Sequence, residues 1–226
     1  MPEAEFIEVS GHQVRIRRHP RAKRLTLRIG AQGPVLTLPR RAAMAKARDF
    51  LHDHAAWLEE KLHAVPPRIP VMVGRTIPFA GQSLHIVAAN DRKTGVQDGR
   101  LLVPANDPAK ATKKFLMDQA RQDLTAATIE YASRIDKNFG KITLRDTRSR
   151  WGSCTSRGDL NYSWRLIMAP SEVLDYVAAH EVAHLAQMNH SPKYWAIVAK
   201  ICPDYHVYRN WLRANGAELH RYDFGP

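Results

Sequence analysis

Apolar and polar positions alternate with a period of two through much of the first hundred residues, in pieces at 11–18, 24–39, 69–79, 82–89 and 99–105. Strict alternation is how a half-buried strand reads, so these pieces predict a small β-rich module. One helix interrupts it from Arg41 to Leu62, where Phe50, Leu51, His54, Trp57, Leu58 and Leu62 recur at helical spacing. A second long helix is expected from Pro108 to about Asn138, with Phe115, Leu116, Leu124, Ile129 and Ile135 among its apolar positions and Gly140 as its stop. Two strand-like stretches follow, from Lys141 and from Asp159, joined by a turn-rich segment at 150–158. Ser171 is placed to cap a further helix carrying Val173, Leu174, Val177, Ala178 and Leu185. No internal repeat is expected. The change of pattern puts a domain boundary near residue 105, giving an α+β chain: a basic β-rich module over 1–105 and a second domain over 106–226.

Composition places few further limits. The 226 residues are 44% hydrophobic and 25% charged, as in an ordinary folded protein. No stretch approaches the ~18 apolar residues of a membrane span, and the first residues lack the basic and apolar regions of a secretory signal, so a soluble cytoplasmic protein is expected. Cys154 and Cys202 are too few for a disulfide framework and form no CxxC pair, so both read as free thiols.

The charge is uneven. Lys and Arg number 34 against 22 Asp and Glu, a formal +12, and the stretch from Val9 to Arg48 holds no acidic residue. It carries Arg15, Arg17, Arg18, Arg21, Lys23, Arg24, Arg28, Arg40, Arg41, Lys46 and Arg48, which makes nucleic acid a candidate partner, since such side chains displace counterions from phosphates. The alternation with Val14, Ile16, Leu25, Leu27 and Ile29 reads equally as the outer face of half-buried strands. No aromatic residue interleaves the run, so a stacking platform for bases is not expected there. His52, His54 and His63, on the first helix, read as surface or packing residues.

The candidate chemistry lies at His180 to His190, HEVAHLAQMNH. An α-helix turns about 100° per residue, so His180 and His184 stand one turn apart on the same face and can bind one Zn²⁺ together. Glu181 lies beside the first ligand, where its carboxylate can reach water at the metal without being a ligand, the place of a general base. A catalytic zinc wants three protein ligands and an open position. His190 fits if the helix ends before it, with Asn189 closing the helix in the left-handed conformation and Ser191 and Pro192 starting a new one. Asp204 is a rival third ligand, although its place after Pro203 suits the N-cap of the last helix better. Gln187 stands where a metzincin would carry glycine, which argues against a metzincin proper.

Together with Arg150 to Cys154, Asn161 to Leu166, Tyr176 to Leu185, Asn189 to Trp195 and Pro203 to Leu212, this segment resembles the YgjP-like metallopeptidase family, a zincin branch related to SprT-like and WLM proteases. The basic start from Arg17 to Ile29 is similar to the family's N-terminal pattern as well. The resemblance implies a minimal zincin-like C-terminal domain carrying the HExxH helix, and a zinc-dependent hydrolase acting on a peptide or protein. It also implies one Zn²⁺ per chain on His180, His184 and His190, with Glu181 as catalytic base.

Arg150, Tyr194, Tyr205 and Tyr208 are candidate substrate or transition-state contacts by proximity in sequence. Trp151 and Trp195 read as core or cleft wall. The stretch from Asn161 to Leu166 is expected to be an edge strand able to pair with an extended substrate. The competing reading is a nucleic-acid-associated zinc protein working on DNA-bound partners; Glu181 speaks for the enzyme, because a structural zinc site needs no base.

Overall fold

The computed structural model describes residues 5–30, 33–64, 67–89 and 94–225, without the side chains of His63 and Ala64. The chain forms two compact units, Met1–Pro67 and Arg68–Pro226. The division falls earlier than the expected boundary near residue 105, because the strands between 69 and 104 share one hydrophobic core with the C-terminal helices. Ile77, Leu84, Ile86, Leu101 and Val103 are buried in the same cluster as Leu116, Trp164 and Val182.

In the first unit, β1 (Phe6–Val9), β2 (His12–His19), β3 (Thr26–Gly30) and β4 (Gly33–Pro39) form a sheet in the order β1-β2-β4-β3. Alternation does what it predicts. Val14 and Ile16 on β2 and Leu36 and Leu38 on β4 are buried on one face, and their core is completed by Ala47, Leu51 and Leu58. These last three come from two helices, α1 (Met44–Asp53) and α2 (Ala55–Ala64), where one was expected; the break is at His54, whose ring stacks on Phe50 at 4.1 Å. His52 is exposed, and the side chain of His63 lies outside the described residues. Arg18 serves the fold: its guanidinium donates to the carbonyls of Arg40 (3.2 Å) and Ala42 (2.8 Å), tying β2 to the entry of α1.

The second unit opens with a sheet of β6 (Thr76–Phe79), β7 (Gln82–Ala89), β8 (Gly95–Gln97) and β9 (Arg100–Pro104) in the order β6-β7-β9-β8. A short parallel pair, β5 (Ile69–Pro70) with β13 (Tyr222–Asp223), closes the ends of this unit. After β9 comes α3 (Pro108–Arg134), started by Asp107, whose carboxylate accepts from the Lys110 amide at 3.1 Å. It stops six residues before Gly140. Asp136 takes φ of 51°, and the amide of Lys137 returns to the carbonyl of Ala132, a closure that tolerates Asp in the left-handed region.

The two sheets are copies of one ββ-ββ-helix unit. β1 pairs with β2 as β6 with β7, β2 runs parallel to β4 as β7 to β9, and β3 pairs with β4 as β8 with β9. The registers coincide: Val9 faces His12 as Phe79 faces Gln82, and His19 faces Pro39 as Ala89 faces Pro104. Ser10-Gly11 and Ala80-Gly81 both turn with two positive φ angles, the form a two-residue hairpin requires. Leu36, Pro39, Phe50 and Leu51 thus correspond to Leu101, Pro104, Phe115 and Leu116. The repeat escapes the sequence because the two copies differ in loop length between strands, so no constant period survives, and the shared residues are sparse.

A second, three-stranded sheet has the order β10-β12-β11, from β10 (Ile142–Arg145), β11 (Gly152–Cys154) and β12 (Leu160–Ser163). The expected edge strand at 161–166 is therefore wrong on two counts. Its first half is the central strand β12, and Trp164–Met168 winds into a fully buried 3₁₀ turn. The edges are β10 and β11, and β11 is taken from the segment expected to be a turn. The remaining helices are α4 (Ser171–Ala183), α5 (Pro192–Ile201) and α6 (Tyr205–Leu219). Pro170 occupies the N-cap position of α4, one residue before the expected Ser171, and no side chain caps it.

Arg165 fastens this sheet to the chain end. It grips both carboxylate oxygens of Asp146 (2.6 and 3.1 Å) and donates to the carbonyls of Leu219 and Tyr222 (2.9 and 3.1 Å). Burial pushes the Asp146 carboxyl up, but the Arg165 hydrogen bonds and charge outweigh it and hold it below its ordinary value. That contribution is present above the ordinary carboxylate pKa and lost as pH falls through the depressed one. Arg165→Ala should lower folding stability by about 2–4 kcal/mol, at the lower end because Asp146 is half-exposed and keeps some hydration. Denaturant unfolding reads this directly, and a loss under about 0.5 kcal/mol, the range of a neutral surface change, would contradict the clamp.

Candidate metal centre

α4 is apolar almost all round, with Val173, Leu174, Val177, Ala178, Ala179, Val182 and Ala183 buried, and it packs on α3, α5, α6 and β11. A helix so enclosed fixes whatever polar groups it carries. It carries His180 near its C-terminal end and His184 as its C-cap. The helix ends at Ala183, earlier than expected, and without a left-handed residue at Asn189, which instead accepts a hydrogen bond from Gln187 at 2.8 Å. The last turn tightens through i to i−3 bonds, His184 to Glu181 and Leu185 to Val182. Ser191 then accepts from the Tyr194 amide and Pro192 opens α5, as expected.

This break returns His190 to the other two. The ligand nitrogens of His180, His184 and His190 lie within 4.8 Å of one another, and the Nε2 atoms of His180 and His190 are 3.2 Å apart. Two nitrogens bound tetrahedrally to zinc at ~2.0–2.1 Å would be separated by about 3.3 Å, so the spacing fits a shared ion. The Nδ1 of His184 is 3.1 Å from the carbonyl of Gln187, which directs the other nitrogen inward and fixes the tautomer a metal needs. The backbone thus does its work at the very position where a metzincin carries glycine. Burial, reinforced by its neighbours His184, His190 and Arg209, pushes His180 down to about 3, and burial also lowers His184. Both are neutral at pH 7, with a lone pair ready for a cation. Asp204 is exposed, outside this cluster; it holds the N-cap position of α6 but makes no side-chain capping bond.

The three imidazoles and Glu181 line a cleft of about 420 Å³, bounded also by Arg150, Trp151, Tyr176, Met188 and Leu212. Glu181 is 5% exposed. Burial pushes its carboxyl up to about 8, against the opposing pull of the Arg150 guanidinium. It fits there because residue 152 is glycine. A Cβ on Gly152 would lie 2.5 Å from Glu181 Oε1 and 2.6 Å from its Cγ. A glycine inside a strand commonly marks such a close approach, and this was the readable sign of a residue that motif spacing missed.

Of the four further candidates, the cleft is lined by Arg150 alone. Tyr194 is fully buried, its ring stacked on His184 at 4.5 Å and its hydroxyl donating to the His180 carbonyl at 2.8 Å, so it supports the histidines and faces no ligand. Tyr205 is buried between Tyr176 and Trp195, and Tyr208 packs on the core. Tyr176, one turn before His180, takes the place expected of these tyrosines: it lines the cleft with its ring edge-on to His180 at 5.8 Å. Trp151 is the wall expected, stacked on His220 and closely approached by Gly216 of α6, and Trp195 lies beside His190 at 5.8 Å. Both cysteines are free, and burial raises each thiol to about 11, so neither supplies a thiolate nucleophile at neutral pH.

No helix among the described residues is long and apolar enough to cross a membrane. None of the curated proteins compared with the chain matches it. The family described as YgjP-like, metallopeptidase domain, matches residues 23–215, through both compact units. Three histidines that could hold a metal ion, in a cleft lined also by a buried glutamate, accord with such a domain, and the chain belongs to the YgjP-like metallopeptidase family.

Proposed function

We propose that the protein is a zinc peptidase in which His180, His184 and His190 hold the ion and Glu181 is the general base. The observation that carries this reading is the meeting of three histidine nitrogens within 4.8 Å in the cleft that Glu181 also lines. When bound, zinc supplies Lewis acidity, polarising the scissile carbonyl and acidifying water near neutral pH. Glu181 takes the proton of the attacking water at its carboxylate and hands it to the leaving amine. A carboxyl pushed up to about 8 by burial suits the return of the proton, while the Arg150 guanidinium pulls it part of the way back towards the carboxylate, as the charge of a bound zinc would further.

The substrate is proposed to lie extended along β11. That strand pairs with β12 on one side, no strand among the described residues pairs with its other edge, and its residues pack on the helix that carries Glu181. Main-chain pairing to β11 would give affinity with little sequence preference, and Met188, Leu212 and Trp151 favour an apolar side chain in the cleft. Stripping the purified protein with a chelator should abolish cleavage of peptide libraries, and zinc should restore it. Cleavage that persists in fully metal-free protein would sink the reading.

A further inference from the structure

The two copies of the ββ-ββ-helix unit provide an internal control on what this fold requires. On the face of the first sheet turned away from its helices, Arg15 faces Val35, which faces Arg28, across β2, β4 and β3. Arg17 faces Thr37, which faces Thr26, in the next row on the same face. The residues of the second sheet that correspond to the three arginines are His85, Val87 and Gln97, at the same points in the same registers. The second sheet has its own arginine, Arg100, in the place of Val35. The backbone therefore forms without arginine at any of the three positions. Arginine at these three exposed positions is thus particular to the first copy.

The row through Arg15 extends one strand further. Phe6 on β1 is directly opposite Arg15, so its ring is on the same face, and it is 50% exposed. The aromatic residue that the basic run lacks in sequence is supplied in space by the neighbouring strand. The second copy has Thr76 there. The guanidinium groups of Arg15 and Arg17 issue from Cα atoms roughly 6.6–6.8 Å apart along a strand, and those of Arg15 and Arg28 from atoms roughly 9.5 Å apart across two strand spacings. Among the described residues of the sheet, Glu8, opposite Gln13 at the β1 edge, shares this face, and Glu5 pairs with Arg18.

We infer that the open face of the first sheet binds single-stranded nucleic acid, with Arg15, Arg17 and Arg28 on phosphates and Phe6 stacked on a base. Guanidinium forks match phosphate oxygens in pairs, and a flat face admits unpaired bases that a double helix would withhold. An acidic peptide would use the arginines but would have no need of an exposed ring in register with them. The inference concerns a surface separate from the histidine cluster and does not depend on the peptidase reading.

The test measures anisotropy of labelled oligothymidylate and oligouridylate on the full-length protein through a salt series, the two probes distinguishing DNA from RNA. Exchanging the three arginines for the residues of the second copy (R15H, R17V, R28Q) should weaken binding about tenfold or more and lower the slope of log affinity against log salt by about 2, for three phosphates on a single strand. The triple R15Q, R17Q, R28Q should do the same if the valine makes the first variant aggregate. Phe6→Ala should weaken binding about fivefold or more and leave the salt slope unchanged. Peptide cleavage should be unchanged in each. The proposal is overturned if neither probe binds, if both triples bind like the original protein, or if oligoglutamate or duplex DNA binds as tightly and Phe6→Ala has no effect.

Discussion

Glu181→Gln should lower kcat for peptide cleavage by about 10²–10⁴-fold, the range that removing a positioned general base produces, while leaving zinc content and substrate affinity near their original values. The amide is nearly isosteric with the carboxylate, so the close contact with Gly152 and the packing of α4 on β11 are preserved. What is lost is the proton acceptor. The metal should stay because the histidine nitrogens form a cluster without Glu181. A matched loss of zinc and activity would instead make Glu181 part of the metal's support, and cleavage at the original rate would move the proton transfer to another group.

Gly152→Ala should be nearly as damaging through a single methyl group. The new Cβ would overlap the Glu181 carboxylate and its Cγ at 2.5–2.8 Å, closer than any stable contact, so the glutamate must swing away from β11. A displacement of about 1 Å in a catalytic group costs on the order of 10² in rate. The histidines lie outside the overlap, so kcat should fall with zinc stoichiometry and thermal unfolding little changed. Steady-state kinetics beside metal analysis separates this from unfolding. Full activity in Gly152→Ala would show that Glu181 works equally well from another rotamer, and the close approach would then have no catalytic meaning.

How far the site was legible in the sequence depends on what each feature is made of. His180, Glu181 and His184 could be read because helical spacing alone puts two imidazoles on one face and the acid beside them. His190 required a helix break, and Ser191-Pro192 announced the new helix correctly, although α4 gives way already at Ala183 through a tightened turn that no residue type signals. Tyr194 looked like a ligand contact from its position in the chain. Its burial under His184 is a tertiary fact, and so is the arrival of Tyr176 in the cleft. Likewise, alternation identified most strands but not their neighbours. Asn161 to Ser163 reads as well for a central strand as for an edge, and Phe6 meets Arg15 because a hairpin, not a run of sequence, brings them together. The repeated unit was hidden for a related reason: the registers are kept while the loops between strands change length.

On the proposed reading, three histidines brought together by the break after α4 hold the metal that peptide cleavage needs. Metal analysis of wild type and His190→Ala, with cleavage assayed on the same samples, decides it. About one zinc per active wild-type chain is predicted, with the metal and the activity falling together in His190→Ala while the fold, read by thermal unfolding of the metal-free proteins, is retained. Undiminished zinc and cleavage in His190→Ala would overturn the triad and place the third ligand elsewhere.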